Sequence, residues 1–363
     1  VSESAPIGKK PRWLIPLIVV LTVGGMLGGY AIREGVRSFV QKKDAGSIDR
    51  VVVYTSADDP VARDFVALAQ HALQLDVQFV GDTEATKSTG IAQRLIDEAA
   101  APKANIWWSN EELATARLVS AGVLEETELA TFAARARVIA YSTTRVKEPP
   151  RTLRDVVNAR FAGRIGMARP QFGTTRAQLA ALVAVHGETA TQKWLLALKA
   201  AQVRLYDGNS AVVRGIAQAE IDVGLTDTDD VWSAKREKWP VEMVFEVVDP
   251  PQRLPDAGTL GNGAIHEGLA SMGPLRICNT AARVKGMTST SEQIAANAVL
   301  DLLRSKTFEI AMAQSDSRTM PLDAELAQAF AQNAIPAPWV VDAKTLLQAD
   351  ERAQKLWERV MGR

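Results

Sequence analysis

A single cysteine, Cys278, occurs in the 363 residues. One cysteine makes neither an intramolecular disulfide nor a cysteine-based zinc site, and its setting, LRICNT, reads as a small buried hydrophobe on a strand. Histidine is nearly as scarce. His71, His186 and His266 are far apart, lack metal-ligand spacing, and read as surface or core positions. Neither sign of charge is in excess, with 42 Lys plus Arg against 42 Asp plus Glu. No overall field therefore favours nucleic acid, which is not expected as a partner. No nucleophile stands beside a base, and there is no glycine-rich dinucleotide turn and no internal repeat of about 20–50 residues, so the sequence does not read as an enzyme. The stretch GDTEATKSTG (81–90) nearly spells a phosphate-binding P-loop, but Thr86 stands where the second glycine must let the backbone fold around phosphates.

What is present is ordinary globular material, 47% hydrophobic and 23% charged, and long enough for two domains. The exception is residues 13–32, WLIPLIVVLTVGGMLGGYAI, an uncharged apolar stretch of about the twenty residues that span a bilayer. It reads as an uncleaved transmembrane anchor. A cleaved signal peptide is the competing reading, because Gly29, Tyr30 and Ala31 offer small residues at the positions a peptidase inspects. Arg33, Arg37, Lys42 and Lys43 follow at once and oppose export in a mature chain. No cysteine lies nearby for lipid attachment. Lys9, Lys10 and Arg12 balance the basic residues beyond the stretch, so flanking charge leaves orientation open. Residues 1–12 are expected as a cytoplasmic tail and 33–48 as a linker.

From residue 49 the chain alternates strands and helices. Buried strands are expected at 50–56 (RVVVYTS), 75–81 (LDVQFVG) and 105–110 (NIWWSN), with helices at 60–71, 91–100 and 111–120 between and after them. This βαβαβ pattern builds a parallel sheet with helices on its faces. A strand follows at 136–143 (ARVIAYST), and Pro149-Pro150 marks a break. A second α/β unit then runs through strands at 163–170, 202–207 and 221–227, with helices at 174–185, 190–200 and 210–219. Two similar sheets imply a cleft, and in open parallel sheets ligands bind beyond the carboxyl ends of strands.

Those ends are polar. In the first unit they carry Asp58, then Asp82, Thr83 and Glu84, then Asn110 and Glu111. In the second, Gly173, Thr174 and Thr175 open one helix and Asn209 and Ser210 another, places where unpaired backbone N–H groups make an anion site. The strand IDVGLTD ends in Asp227, Asp229 and Asp230. Three carboxylates this close repel one another and call for a positive partner, a metal ion or an organic ammonium group. Helix capping is the alternative role for each of these residues. Trp107, Trp108 and Trp232 are expected to flank the cleft, and Trp194 and Trp239 to serve packing.

Taken in order, YTSADD, VGDTEATKSTGIAQRLIDEA, WWSNE, RPQFGTTR, DGNSAVVRGI and IDVGLTDTDDVW resemble the extracytoplasmic solute-binding proteins of bacterial ABC importers, in the ferric-iron-binding, type II periplasmic group. The resemblance runs from residue 50 to about 322 and takes in GPLRICNT, the helix at 292–303 and SDSRTMPL. It implies two α/β lobes joined by hinge strands: residues 49–137 as the first part of lobe 1, 138–255 as lobe 2, 256–320 as the return to lobe 1, and 321–363 as a helical segment on lobe 2. It also implies a periplasmic location, delivery to an ABC permease and its ATPase, and ferric iron with a bound anion as cargo rather than a resident cofactor. Residue by residue, Asp229 and Asp230 stand where ferric members carry a tyrosine pair. Asp58 stands at a histidine ligand, and Asn110, or Glu111 with a one-residue shift, at a glutamate ligand. The anion-holding turn matches Phe172 to Thr174, with Asn209 and Asp227 in support. Asp229, Asp230 and Asp58 are thus the candidate metal ligands. The missing tyrosines, and Arg276 in a strand that is apolar elsewhere in the family, leave two further readings: a membrane-anchored scaffold or sensor with a degenerate site and, more remotely, a carboxylate-metal enzyme.

Overall fold

The computed structural model describes residues 50–57, 59–81, 87–126, 129–171, 173–249 and 269–362. The anchor and linker expected over 1–48 lie outside this set, as do Asp58, Asp82, Thr83, Glu84 and His266. Among the described residues no helix is long and apolar enough to cross a membrane.

The first lobe opens with β1 (Arg50–Thr55), α1 (Asp59–Leu73), β2 (Asp76–Val80), α2 (Lys87–Asp97), β3 (Ile106–Ser109) and α3 (Glu112–Ser120). β1 pairs in parallel with both β2 and β3. Val51 and Val53 are buried and Val52 is half-buried because helices cover both faces of a parallel sheet, so the strand reads as a continuous apolar run. Strand β4 (Ala130–Ser142) follows, then α4 (Leu153–Val156), β5 (Ile165–Ala168), α5 (Gly173–Ala200), β6 (Arg204–Tyr206), α6 (Asn209–Ala217), β7 (Val223–Asp227), α7 (Thr228–Arg236) and β8 (Val241–Val244). The chain returns through β9 (Arg276–Arg283), α8 (Thr290–Leu303), α9 (Lys306–Gln314), α10 (Ala324–Ala329) and α11 (Ala343–Met361). The strands are ordered β2-β1-β3-β9-β4-β7-β5-β6, with β8 also on β4.

β4 joins the two halves. Its residues through Ala136 pair antiparallel with β9, and from Arg137 onward they pair with β7 and β8. The strand begins at Ala130, six residues before the stretch 136–143 expected from sequence. Its earlier part carries a bulge between Phe132 and Ala134, with Ala133 at φ +44°. That irregularity interrupts the period-two pattern by which a strand is recognised.

Large core clusters lie on either side of β4, and Leu113 of α3 packs into the one built around α5 and α11. Phe65, Trp108, Phe132 and Phe308 stack edge-on in the first lobe, with Phe65 centroids 5.4 Å from Trp108 and 4.9 Å from Phe308. Trp107 fills the opposite face of the same sheet beside Tyr54 and Leu95, and its indole donates to Thr115 at 2.8 Å. Trp107 and Trp108 therefore belong to the core and not to the rim of a cleft, because a strand covered by helices on both faces buries successive side chains. In the second lobe α5 is broken at Gly187 (φ +76°), where the sequence separates helices at 174–185 and 190–200, and α11 packs along it through Leu346, Ala349, Leu356 and Trp357. Cys278 is buried on β9.

Candidate functional site

β7 is buried from end to end and delivers Asp227 to the mouth between the lobes. Across the β4–β7 ladder Asp227 lies opposite Arg137. Arg137 donates from Nη1 to Asp227 Oδ1 at 2.8 Å and from Nε to Gln178 Oε1 at 3.0 Å. Two residues earlier on β4, Arg135 reaches the same mouth. Its Nη1 donates to Asp229 Oδ2 at 2.9 Å, and its Nε lies 3.5 Å from Asp227 Oδ2. The acids therefore face two arginines of the hinge strand. A carboxylate this deeply buried needs a charge partner, and a guanidinium meets its geometry.

Side chains at the helix openings also reach Asp227. Thr174 Oγ1 donates to Asp227 Oδ2 at 2.6 Å, and Asn209 Nδ2 donates to the same oxygen at 3.0 Å. Thr175 Oγ1 donates to Asn209 Oδ1 at 3.4 Å. Gly173 (φ +62°) makes the turn into α5. The third acid, Asp230, accepts from the Asp227 backbone N–H at 3.3 Å and from Thr226 Oγ1 at 2.9 Å, tying down the start of α7. Carboxylate oxygens of Asp227, Asp229 and Asp230 lie within 4.8 Å of one another, close enough to share a metal ion. With Arg135 and Arg137 already among them, a cation entering this cluster has to displace Arg135 from Asp229.

Of the first-lobe residues expected at the site, Asn110 and Glu111 are among the described ones. Asn110 faces the cleft and is held by Ser56, whose Oγ donates to its Oδ1 at 3.1 Å and accepts from its N–H at 3.1 Å. Glu111 does not turn to the cleft. Its oxygens accept from the backbone N–H groups of Leu113 at 2.6 Å and Ala114 at 3.0 Å, capping α3, and burial pushes its pKa up to about 7. Tyr54 and Tyr206 donate to Glu98 and Glu220 at 2.9 and 3.0 Å. Tyr141 pairs with β7 and β8 at the far end of β4. No tyrosine phenolate lines the cleft among the described residues.

Two adjoining spaces lie beside the carboxylate cluster among the described residues. One, about 10 Å³, lies between the lobes among Asn110, Arg135, Asp229, Asn279, Ser317 and Thr319, and holds about one water. The other, about 190 Å³, opens beside it between α6 and α7, against Ser210, Arg214, Asp229, Asp230, Trp239 and Ser317. Trp239 thus borders the opening, where sequence suggested packing alone. Trp232, at the rim, stacks with Arg318 at 4.7 Å.

The family of bacterial extracellular solute-binding proteins matches residues 51–315, most of the described chain. The chain belongs to this family. The chain is similar in sequence to ferric iron-binding proteins of other bacteria. It is 26% identical to the major ferric iron-binding protein of Neisseria meningitidis over 173 residues, 42% of this chain and 52% of the relative. The match thus spans about half the length of that relative. Among solved structures, apo ferric ion-binding protein A of Pasteurella haemolytica superposes with a TM-score of 0.70 at 14% identity, covering 86% of this chain and 98% of the other. The periplasmic binding protein AfuA of Actinobacillus pleuropneumoniae, with fructose-6-phosphate bound, gives 0.65 at 16% identity over 86% and 98%. Both share the fold of this solute-binding protein. The family is one of binding proteins, not of enzymes.

Arg135 and Arg137 are the residues of the site that sequence reasoning missed. The signal was present as ARAR at the head of the expected strand: two arginines spaced by two on a strand otherwise lined with alanines share one face.

Proposed function

We propose that this protein is the solute-binding component of an ABC importer, working outside the cytoplasmic membrane with residues 13–32 as its anchor. It takes a small solute bearing both signs of charge into the interlobe cleft and delivers it to a permease. The observation that carries the ligand class is the Arg135–Asp229 pair, a cation and an anion facing each other at the mouth. A solute with a negative and a positive group replaces each partner with a matching one: its anion accepts from Arg135, and its positive part faces Asp229 and Asp230. A metal cation with its anion, or a zwitterion, satisfies this. A bare ferric ion does so poorly, since no phenolate lines the cleft among the described residues and Asp227 and Asp229 are already paired with arginines. The first lobe contributes Asn110, and Asp58, Asp82, Thr83 and Glu84 belong to the same proposal through the loops that carry them. Gly173, Thr174, Thr175 and Asn209 act by holding Asp227, and Ser210 borders the larger space.

A second reading has its own observation. Among the described residues, the space beside the Arg135–Asp229 pair is about 10 Å³, a size that suits a receptor that has lost transport and serves as a scaffold or sensor. The deciding experiment denatures the full chain, purified without chelator, and identifies the released small molecules and metals by mass spectrometry. Recovery near one equivalent of a single charged solute supports the receptor. Recovery of none favours the scaffold.

A further inference from the structure

The loop 315–319 springs from the first lobe, yet it grips the second. On one side it follows α9, whose Phe308 and Met312 lie in the first lobe's core. On the other it is pinned to β4 beside Arg135, where Met320 and Ala134 exchange backbone hydrogen bonds, both at 2.7 Å. Between these anchors it is internally tied. Ser315 Oγ accepts from the Ser317 N–H at 3.3 Å, and the Ser315 carbonyl accepts from the Arg318 N–H at 3.1 Å. A loop tied in this way reaches out as a rigid finger.

Its tip touches α7, whose Val231 and Ala234 lie in the second lobe's core. Asp316 pairs with Arg236, and the Arg318 guanidinium stands 4.7 Å from the Trp232 ring centroid. Arg318 has a φ of +44°, a left-handed conformation that a long side chain adopts only where its contacts hold it. Ser317, between the two gripping residues, borders both the 10 Å³ space and the 190 Å³ opening. The finger therefore lies over the junction a solute must pass.

We propose that residues 315–319 form a latch between the lobes, with Asp316 on Arg236 and Arg318 on Trp232, which keeps the cleft closed in the absence of solute. The ion pair is solvent-exposed, with side-chain exposures of 51% and 56%, so it is weak and salt-sensitive. The cation–π contact adds a comparable share. Together they shift the closed-to-open ratio by about tenfold, enough to change the dominant state when the lobes are otherwise near balance. The latch is independent of which solute binds, and it operates in the receptor and the scaffold alike.

Double electron–electron resonance on the full chain without added solute tests this, with labels at Ala67→Cys in the first lobe and Ala200→Cys in the second. Wild type should give one narrow interlobe distance. Asp316→Asn combined with Arg318→Ser should add a second, distinct population, with the closed-to-open ratio lowered about tenfold. Raising salt to about 1 M should move wild type the same way and the variant little. Trp232→Leu, which leaves the ion pair intact, gives a partial shift, and melting temperatures certify that each variant is folded. Coincident distributions for folded wild type and the double variant, or a salt-insensitive wild type, overturn the proposal.

Discussion

Asp227 is 2% exposed, and a carboxylate so buried persists only where a positive group and hydrogen-bond donors replace water. Arg137, Thr174 and Asn209 supply them, at 2.8, 2.6 and 3.0 Å. Arg137→Gln removes the charge and leaves Asp227 with Arg135 at 3.5 Å as its nearest cation. We expect a loss of about 3 kcal/mol, read as a lower urea midpoint with an unchanged slope. Glu111 predicts a pH dependence. Its folded pKa is about 7 against an ordinary 4.5, because burial disfavours its charged form, so unfolding releases a proton between those values. Stability from this group is present below about 4.5 and falls as pH rises toward 7, by about 3 kcal/mol. Glu246, half-buried and also raised to about 7, contributes in the same direction. Glu111→Gln, which resembles the protonated form, should flatten the melting-temperature profile between pH 5 and 8 by about half, and an unchanged slope would show that the burial of Glu111 is not its source. That an acid at 111 ends a loop and starts a helix was legible in sequence. Whether its carboxylate turns outward to a ligand or inward to cap was not, because both roles place the same residue type at the same position.

The elements themselves were largely readable where burial is uniform. The strands around β1 and β7 and the break of α5 near Gly187 follow from apolar runs and helix-breaking residues. β4 was only half read. Its pairing with β9 joins residues about 140 positions apart in sequence, between Phe132 and Asn279 for example, and its bulge disrupts the local pattern. Arg135 and Arg137 were consequently not seen as partners of acids some 90 residues downstream. The paired tryptophans on β3 were placed at the cleft, near a strand's carboxyl end, whereas helices on both faces of the sheet bury them. α11 illustrates the same dependence on distant packing. Its polar sequence hides an apolar seam against α5 centred on Trp357, 2% exposed, and the Arg176–Asp350 bridge at 2.7 Å ties the two helices beside it. Trp357→Ala should cost about 3–5 kcal/mol, measured by denaturant unfolding, through the cavity it leaves between the two helices.

At the scale of the whole molecule, the two lobes meet along β4, and charged pairs are among the contacts that cross the gap. Arg135 and Asp229 oppose each other at the hinge, while Asp316 and Arg236 oppose each other at the rim. On the proposed function, a solute that enters competes with contacts the protein makes to itself, which favours solutes that bring matching charges of both signs. The proposed anchor requires the lobes to lie outside the cytoplasmic membrane with the N-terminus inward. An alkaline phosphatase fusion after Arg363 should then be active, and an inactive fusion with an active cytoplasmic reporter at the same point would reverse the topology. The central claim is that solute binds by exchange at the Arg135–Asp229 pair, and native mass spectrometry tests it most directly. Wild type and the Asp229→Asn, Asp230→Asn double variant are compared as full chains purified without chelator. The account predicts a defined small-mass adduct on wild type and its loss from the folded double variant, corresponding to at least about a tenfold fall in affinity, or roughly 1.4 kcal/mol. The same adduct on both proteins, or on neither, would contradict it.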